Sequence, residues 1–211
     1  MHQAILAFWF QQCRPWQWFR RSDSFDQSVR ERFADLVEQA LAGDLQDWEA
    51  EPSSCLALVL LLDQFSRQVW RDQARAFVGD QRALQLSRRS LERGWIAAEP
   101  QQARRQFWLM PMLHSEAPAV VSPAIPLLEL HADGATADVA RRNLEQLQRF
   151  GRYPRRNAAM KRVSTAAERE FLRPAEPRRP TARPQANSPS GEITFKAGES
   201  FDPLGGGQPF R

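Results

Sequence analysis

The chain has 211 residues, 42% of them hydrophobic, enough to bury one full-sized core with a short tail left over, so a single domain is expected. Its net charge of +4 is too small to argue for nucleic acid by itself, and no apolar run approaches a membrane span. Two cysteines, Cys13 and Cys55, make neither a disulfide framework nor a metal-ligand spacing and read as reduced thiols.

The first apolar stretch, Ala4 to Phe10, is too short for a signal-peptide core and no positive charge precedes it; with the reduced thiols, this points to the cytoplasm. Ser24 and Gln27 have the spacing of a capping box. Val29, Phe33, Leu36, Val37, Ala40 and Leu41 then form one apolar stripe that Gly43 stops, the pattern of an amphipathic helix. Ser53 and Ser54 are placed to cap the next helix, whose run from Cys55 to Leu62 is apolar on every side and continues to about Trp70. Such a helix belongs at the centre of a bundle. A third helix is expected from Asp80 to Arg93 with Gly94 as its stop, and a fourth after Pro100. Pro111, in FWLMPMLHSE, should bend or end that fourth helix, and Pro118, Pro123 and Pro126 should keep the next segment irregular or broken. Helix resumes near Thr136 and runs to Phe150 before Gly151, and Thr165 with Glu168 makes a second capping box for a last helix reaching Leu172. From Arg173 onward the Pro, Arg, Ser and Gly content cannot bury enough apolar surface to offset ordering entropy, so the tail is expected to be disordered. No segment alternates as a strand does. The expected fold is all-α, with a helical domain over 1–172 and a tail over 173–211.

Charge is unevenly distributed. Asp23 to Glu51 holds nine acidic residues against Arg30 and Arg32, and Arg141 to Arg162 holds eight basic residues against Glu145. Two oppositely charged faces meeting inside one fold, or an anion-binding surface, would each account for this.

The chemistry-bearing stretch is LLLDQFSRQVW, Leu60 to Trp70, where a run that ought to be buried ends in polar groups. Asp63 and Arg67 stand four apart in the favourable acid-before-base order, either a structural pair or part of a site. Gln64 points about 100° away and could serve a neighbouring helix or a ligand. Arg71 and Arg75 of the ARAF stretch add guanidinium groups suited to forked recognition of carboxylate or phosphate. His114, Ser115 and Glu116 bring an imidazole, a hydroxyl and a carboxylate together, as a helix cap or as an acid–base group. No histidine has a partner at metal-ligand spacing, and no HExxH, phosphate loop or GxSxG elbow is present, so neither metal nor cofactor is expected. The seven tryptophans read as packing residues.

The blocks ILAFWF, FD at Phe25 and Asp26, LALVLLLDQFSRQVWR, ARAF, MPMLHSE and RFGRYPRRN together resemble the bacterial family called domain of unknown function 924, over about Met1 to Leu172. The resemblance implies an all-α fold akin to tetratricopeptide-repeat arrays, though the sequence has no clean repeat of that kind, and it implies no activity. The family's strongest blocks fall on Asp63, Gln64, Arg67, Arg75, Phe77, His114, Ser115, Glu116, Gly151, Arg152, Pro154, Arg156 and Asn157. Where the family tends to carry histidine, this chain has Arg155 and, near a second such position, Asn143.

Three readings of the sequence remain open. The first is a ligand- or partner-binding module whose polar pocket is built from Gln64, Arg67, Arg75, Ser115, Arg152, Arg156 and Asn157, with a small anion or a protein as partner. The second is an enzyme using that pocket, with His114 as acid or base, Glu116 or Asp63 orienting it and arginines holding an anionic substrate. The third, nucleic-acid binding through Arg141 to Arg162, lacks the interleaved aromatics of a stacking site.

Overall fold

The computed structural model describes residues 1–174. They form an all-helical fold, with no strand among the described residues. Helix α1 (His2–Ala7) runs into a π turn (Phe8–Gln12), followed by α2 (Pro15–Phe19) and the long α3 (Asp23–Ala42). A 3-10 turn (Gln46–Glu49) leads to α4 (Pro52–Leu60), which passes through a second π turn (Leu61–Phe65) into α5 (Ser66–Val69). After a 3-10 turn at Ala74–Phe77 come α6 (Asp80–Glu92), α7 (Trp95–Ala98), α8 (Gln102–His114), α9 (Pro118–His131) and α10 (Gly134–Phe150). A 3-10 turn at Pro154–Arg156 and α11 (Ala166–Leu172) close the described part.

The helix that is apolar all round is the central one. Every residue from Ser54 to Phe65 is buried, and α4 packs against α1, α6 and α8, while α3 crosses the π turn and α5. Phe8, Trp9, Phe33, Phe65 and Phe107 form an aromatic cluster in this core. Burying such side chains supplies roughly 1.5–3 kcal/mol each, so packing fixes the helices more than their intrinsic propensity does.

Helix ends follow capping chemistry, in two places not as the sequence pattern suggests. The cap of α3 is Ser22, whose hydroxyl accepts from the Phe25 amide, and not Ser24. Helix α4 starts with Pro52 in its first turn, so Ser54 is left to donate to the carbonyls of Trp48 and Glu51. The capping box of Thr165 and Glu168 forms as its spacing suggests.

The prolines do not break their helices. Pro111 is buried inside a continuous α8, where the packing of Phe107, Trp108, Leu109 and Leu113 outweighs a penalty of about 3 kcal/mol. The stretch expected to be irregular is the helix α9, with Pro118 in its first turn. Pro123 and Pro126 are exposed, as are Ala119 and Ser122 one turn before them, so the carbonyls deprived of a donor lie on the solvent side. The tail beyond residue 174 lies outside the described residues.

The acidic and basic segments do not pair with each other. Asp26, Glu38 and Glu49 are bound by Arg71, by Arg75, and by Arg82 with Arg89. In the basic segment, Arg141, Arg152, Arg156 and Arg162 are bound by Glu129 with Asp138, by Glu168, by Asp80 and by Glu116.

Candidate functional site

The polar end of the central helix is built by a change of helical winding and a missing side chain. A π turn widens the helix at Leu61–Phe65 and re-phases the residues beyond Phe65, a feature frequent at functional sites. Ser66 restarts the α-helix with its hydroxyl 2.7 Å from the Leu62 carbonyl and 3.1 Å from that of Ala76, tying the ARAF turn to the helix. At Gly79 a Cβ would lie 2.6 Å from the Leu62 carbonyl oxygen, so only glycine lets the start of α6 approach this closely. That approach delivers Asp80 to Arg67.

Asp63 is fully buried. Its Oδ1 accepts from His114 Nδ1 at 2.7 Å and from Arg67 Nη2 at 3.0 Å, and Gln64 donates to Oδ2. Arg67 Nη2 also donates to Asp80 Oδ1 at 2.9 Å, and Arg156 donates to Asp80 Oδ2 at 3.0 Å and to the His114 carbonyl at 2.7 Å. Both guanidinium groups stand about 5 Å from the Phe77 ring, within cation–π range. The carboxylate fixes the imidazole tautomer: Nδ1 carries the proton that Asp63 accepts, so the 3.2 Å approach of Arg67 to that nitrogen is packing and not a hydrogen bond. His114 Nε2 has no hydrogen-bond partner among the described residues.

Electrostatics separate the two aspartates. Burial pushes the Asp63 carboxyl up, but His114 and Arg67 outweigh it and hold the group below the usual carboxylate range. For Asp80 burial dominates, reinforced by repulsion from Asp63, and its carboxyl is held up despite Arg67 and Arg156. Burial and the neighbouring Arg67 lower the Arg156 guanidinium. Above this cluster is a cleft of about 230 Å³ lined in part by Phe77, Asp80, His114, Ser115, Glu116 and Arg156. A larger hollow of about 720 Å³ lies between Gln46–Glu49 and α6, but no imidazole faces it.

The family described as bacterial protein of unknown function (DUF924) matches residues 5–176. The chain belongs to DUF924. A solved structure of a protein of unknown function from Agrobacterium tumefaciens is similar, with 32% identity and a TM-score of 0.75, covering 81% of this chain and 96% of that one. No curated protein matches the chain.

The polar residues on which the DUF924 blocks fall divide into two groups. Asp63, Gln64, Arg67, His114, Ser115, Glu116 and Arg156 come together at the cleft or directly beneath it, and Arg67 is among those beneath. Glu116 accepts from the Tyr153 amide at 2.8 Å and from both Arg162 terminal nitrogens; these outweigh the upward push of burial and lower its carboxyl. The Ser115 hydroxyl accepts from the Ala117 amide. Arg75, Arg152 and Asn157 lie outside the lining. Arg75 turns back to Glu38 and the Trp70 ring, Arg152 grips Glu168 through two nitrogens, and buried Asn157 donates to Ser164 at 3.0 Å. Asn143 donates to the Leu113 carbonyl at 3.1 Å, and Arg155 is exposed. Sequence reasoning missed Asp80, Gly79, Tyr153 and Arg162. The Tyr153 hydroxyl, 2.9 Å from both the Leu113 and Ser115 carbonyls, holds the His114 turn in place. Glycine before the acid that opens α6 was the available signal for a close approach.

Proposed function

We propose that this chain binds a small anionic molecule in the His114 cleft, where Arg156 and His114 Nε2 are the contact groups. One observation carries the reading: Nδ1 of His114 is committed to a fully buried aspartate while Nε2 is unpartnered beside a cleft that Arg156 also lines. A buried carboxylate held by Arg67 and Gln64 is a rigid orienter of the ring. With His114 neutral the cluster balances, Asp63, Asp80 and Glu116 against Arg67, Arg156 and Arg162. An anion entering it is best compensated by a proton on Nε2, which then donates to the ligand.

The hydrogen bond between His114 and Asp63 favours a second reading, in which the same imidazole transfers a proton during a reaction of the bound anion. A thermal-shift screen of small carboxylates and phosphates tests the binding. It supports the proposal if a compound raises the melting temperature of the parent and not of a folded His114→Ala variant. A library without effect, or one in which every shift survives in His114→Ala, overturns it. Chemical conversion of the hit by the parent, lost in Asp63→Asn while binding remains, would favour the catalytic reading.

A further inference from the structure

A second groove, of about 330 Å³, lies far along the sequence from the His114 residues, between the end of the first π turn, α2 and the start of α3. Its floor is aromatic: Phe8 and Phe25 are buried, with ring centroids 6.0 Å apart and planes 12° from parallel. One wall is Trp16, which is 60% exposed, an unusual position for the largest apolar side chain. Arg20 lines the same groove with its guanidinium 5.9 Å from the Trp16 ring centroid, at the loose end of a cation–π contact, and it has no carboxylate partner among the described residues. Gln12, Gln17, Ser22, Ser24 and Ser28 complete the polar part, and none of the ten lining residues is acidic. Ser28 makes no hydrogen bond through its hydroxyl among the described residues.

We infer that this groove binds a small aromatic anion, with a planar ring against Trp16 and a carboxylate or phosphate on Arg20. Volume and lining suit a ligand of that class, an apolar surface with a few converging polar groups. The roughly 6 Å between ring and guanidinium sets the ligand's own spacing, a ring with its charge a few bonds away. Arginine rather than lysine fits the forked oxygens of either acid. Core packing leaves an alternative for Trp18, which donates to the Trp9 carbonyl at 3.0 Å and meets Phe107, but not for Trp16.

The test is calorimetry of the full chain with two probes, indole-3-acetate and adenosine monophosphate, against the uncharged indole and adenosine. The expected result is saturable binding of at least one anion, at least ten-fold weaker for its uncharged counterpart and at least ten-fold weaker in both Trp16→Ala and Arg20→Gln. His114→Ala should bind as the parent does, which separates this groove from the other cleft. Which probe binds distinguishes an aryl carboxylate from a nucleotide. Absence of binding by both anions at millimolar concentration overturns the inference, as does equal binding of the uncharged compounds or binding that survives in either groove variant. Both side chains are exposed, and circular dichroism of each variant checks that it is folded.

Discussion

Replacing Arg67 by methionine keeps much of the stem's packing and removes the cation that joins the buried Asp63 carboxylate to the half-buried Asp80. The change deletes bonds to Asp63, Asp80 and the Ala76 carbonyl, and Asp63, fully buried, is left with Gln64 and His114 alone. Breaking a buried pair by removing one partner costs about 3–5 kcal/mol, against about 0–1 for an exposed pair. Arg156 still serves Asp80, which places the expected loss toward the lower end, about 3 kcal/mol. For a domain of this size that lowers the melting temperature by roughly 6–12 °C. Urea denaturation followed by circular dichroism measures it. A second substitution, Asp63→Asn, should restore part of the stability in the Arg67→Met background, because the stranded charge is then gone. A loss below about 1 kcal/mol, or a double variant no more stable than Arg67→Met, would refute the account of Arg67 as the cation beneath the cleft.

Three further outcomes are expected. Gly79→Ala forces a Cβ onto the Leu62 carbonyl and should cost about 1–3 kcal/mol in denaturant melts, with unchanged stability contradicting the close approach. Arg152 and the Thr165 amide hold the Glu168 carboxyl at about 2, below its ordinary 4.5, so this group's contribution is complete above pH 4.5 and is lost as pH falls toward about 2. Hydrogen exchange should therefore show α11 loosening over that interval in the parent, and a much weaker pH dependence in Arg152→Met; identical profiles would contradict the clamp. Burial pushes the Cys13 and Cys55 thiols up to about 11, so a thiol reagent at pH 8 should label neither in the folded chain and both in denaturant, and rapid labelling of the native protein would contradict their burial.

The architecture was legible because helical patterning dominates this chain. The stripe from Val29 to Leu41, the all-apolar run to Leu62 and the glycines at 43, 94 and 151 each record a local demand, and those three glycines adopt positive φ after a helix end. Prolines misled, since a rule for an isolated helix ignores the burial around Pro111 and the solvent beside Pro123 and Pro126. At the site, Asp63, Arg67 and His114 could be singled out because polar groups inside an apolar run stand apart. The pairings that join them were not legible: Asp63 and His114 are 51 positions apart, Asp80 and Arg156 are 76 apart, and neither pairing leaves a trace in spacing. Arg75 and Arg152 show the converse. As residue types they suit anion recognition equally well, but Glu38 and Glu168 hold them outside the lining of the cleft.

The central claim, that His114 faces a ligand through Nε2 while Nδ1 belongs to Asp63, is tested most directly by nitrogen NMR of histidine-labelled protein. His114 is assigned by its loss in His114→Ala, and spectra are recorded with and without the anion whose thermal shift is lost in that variant. The account predicts a protonated Nδ1 in both spectra and a shift of Nε2 alone to a protonated, hydrogen-bonded position on saturation. An unprotonated Nδ1, or an Nε2 resonance that the anion leaves unmoved, would contradict it.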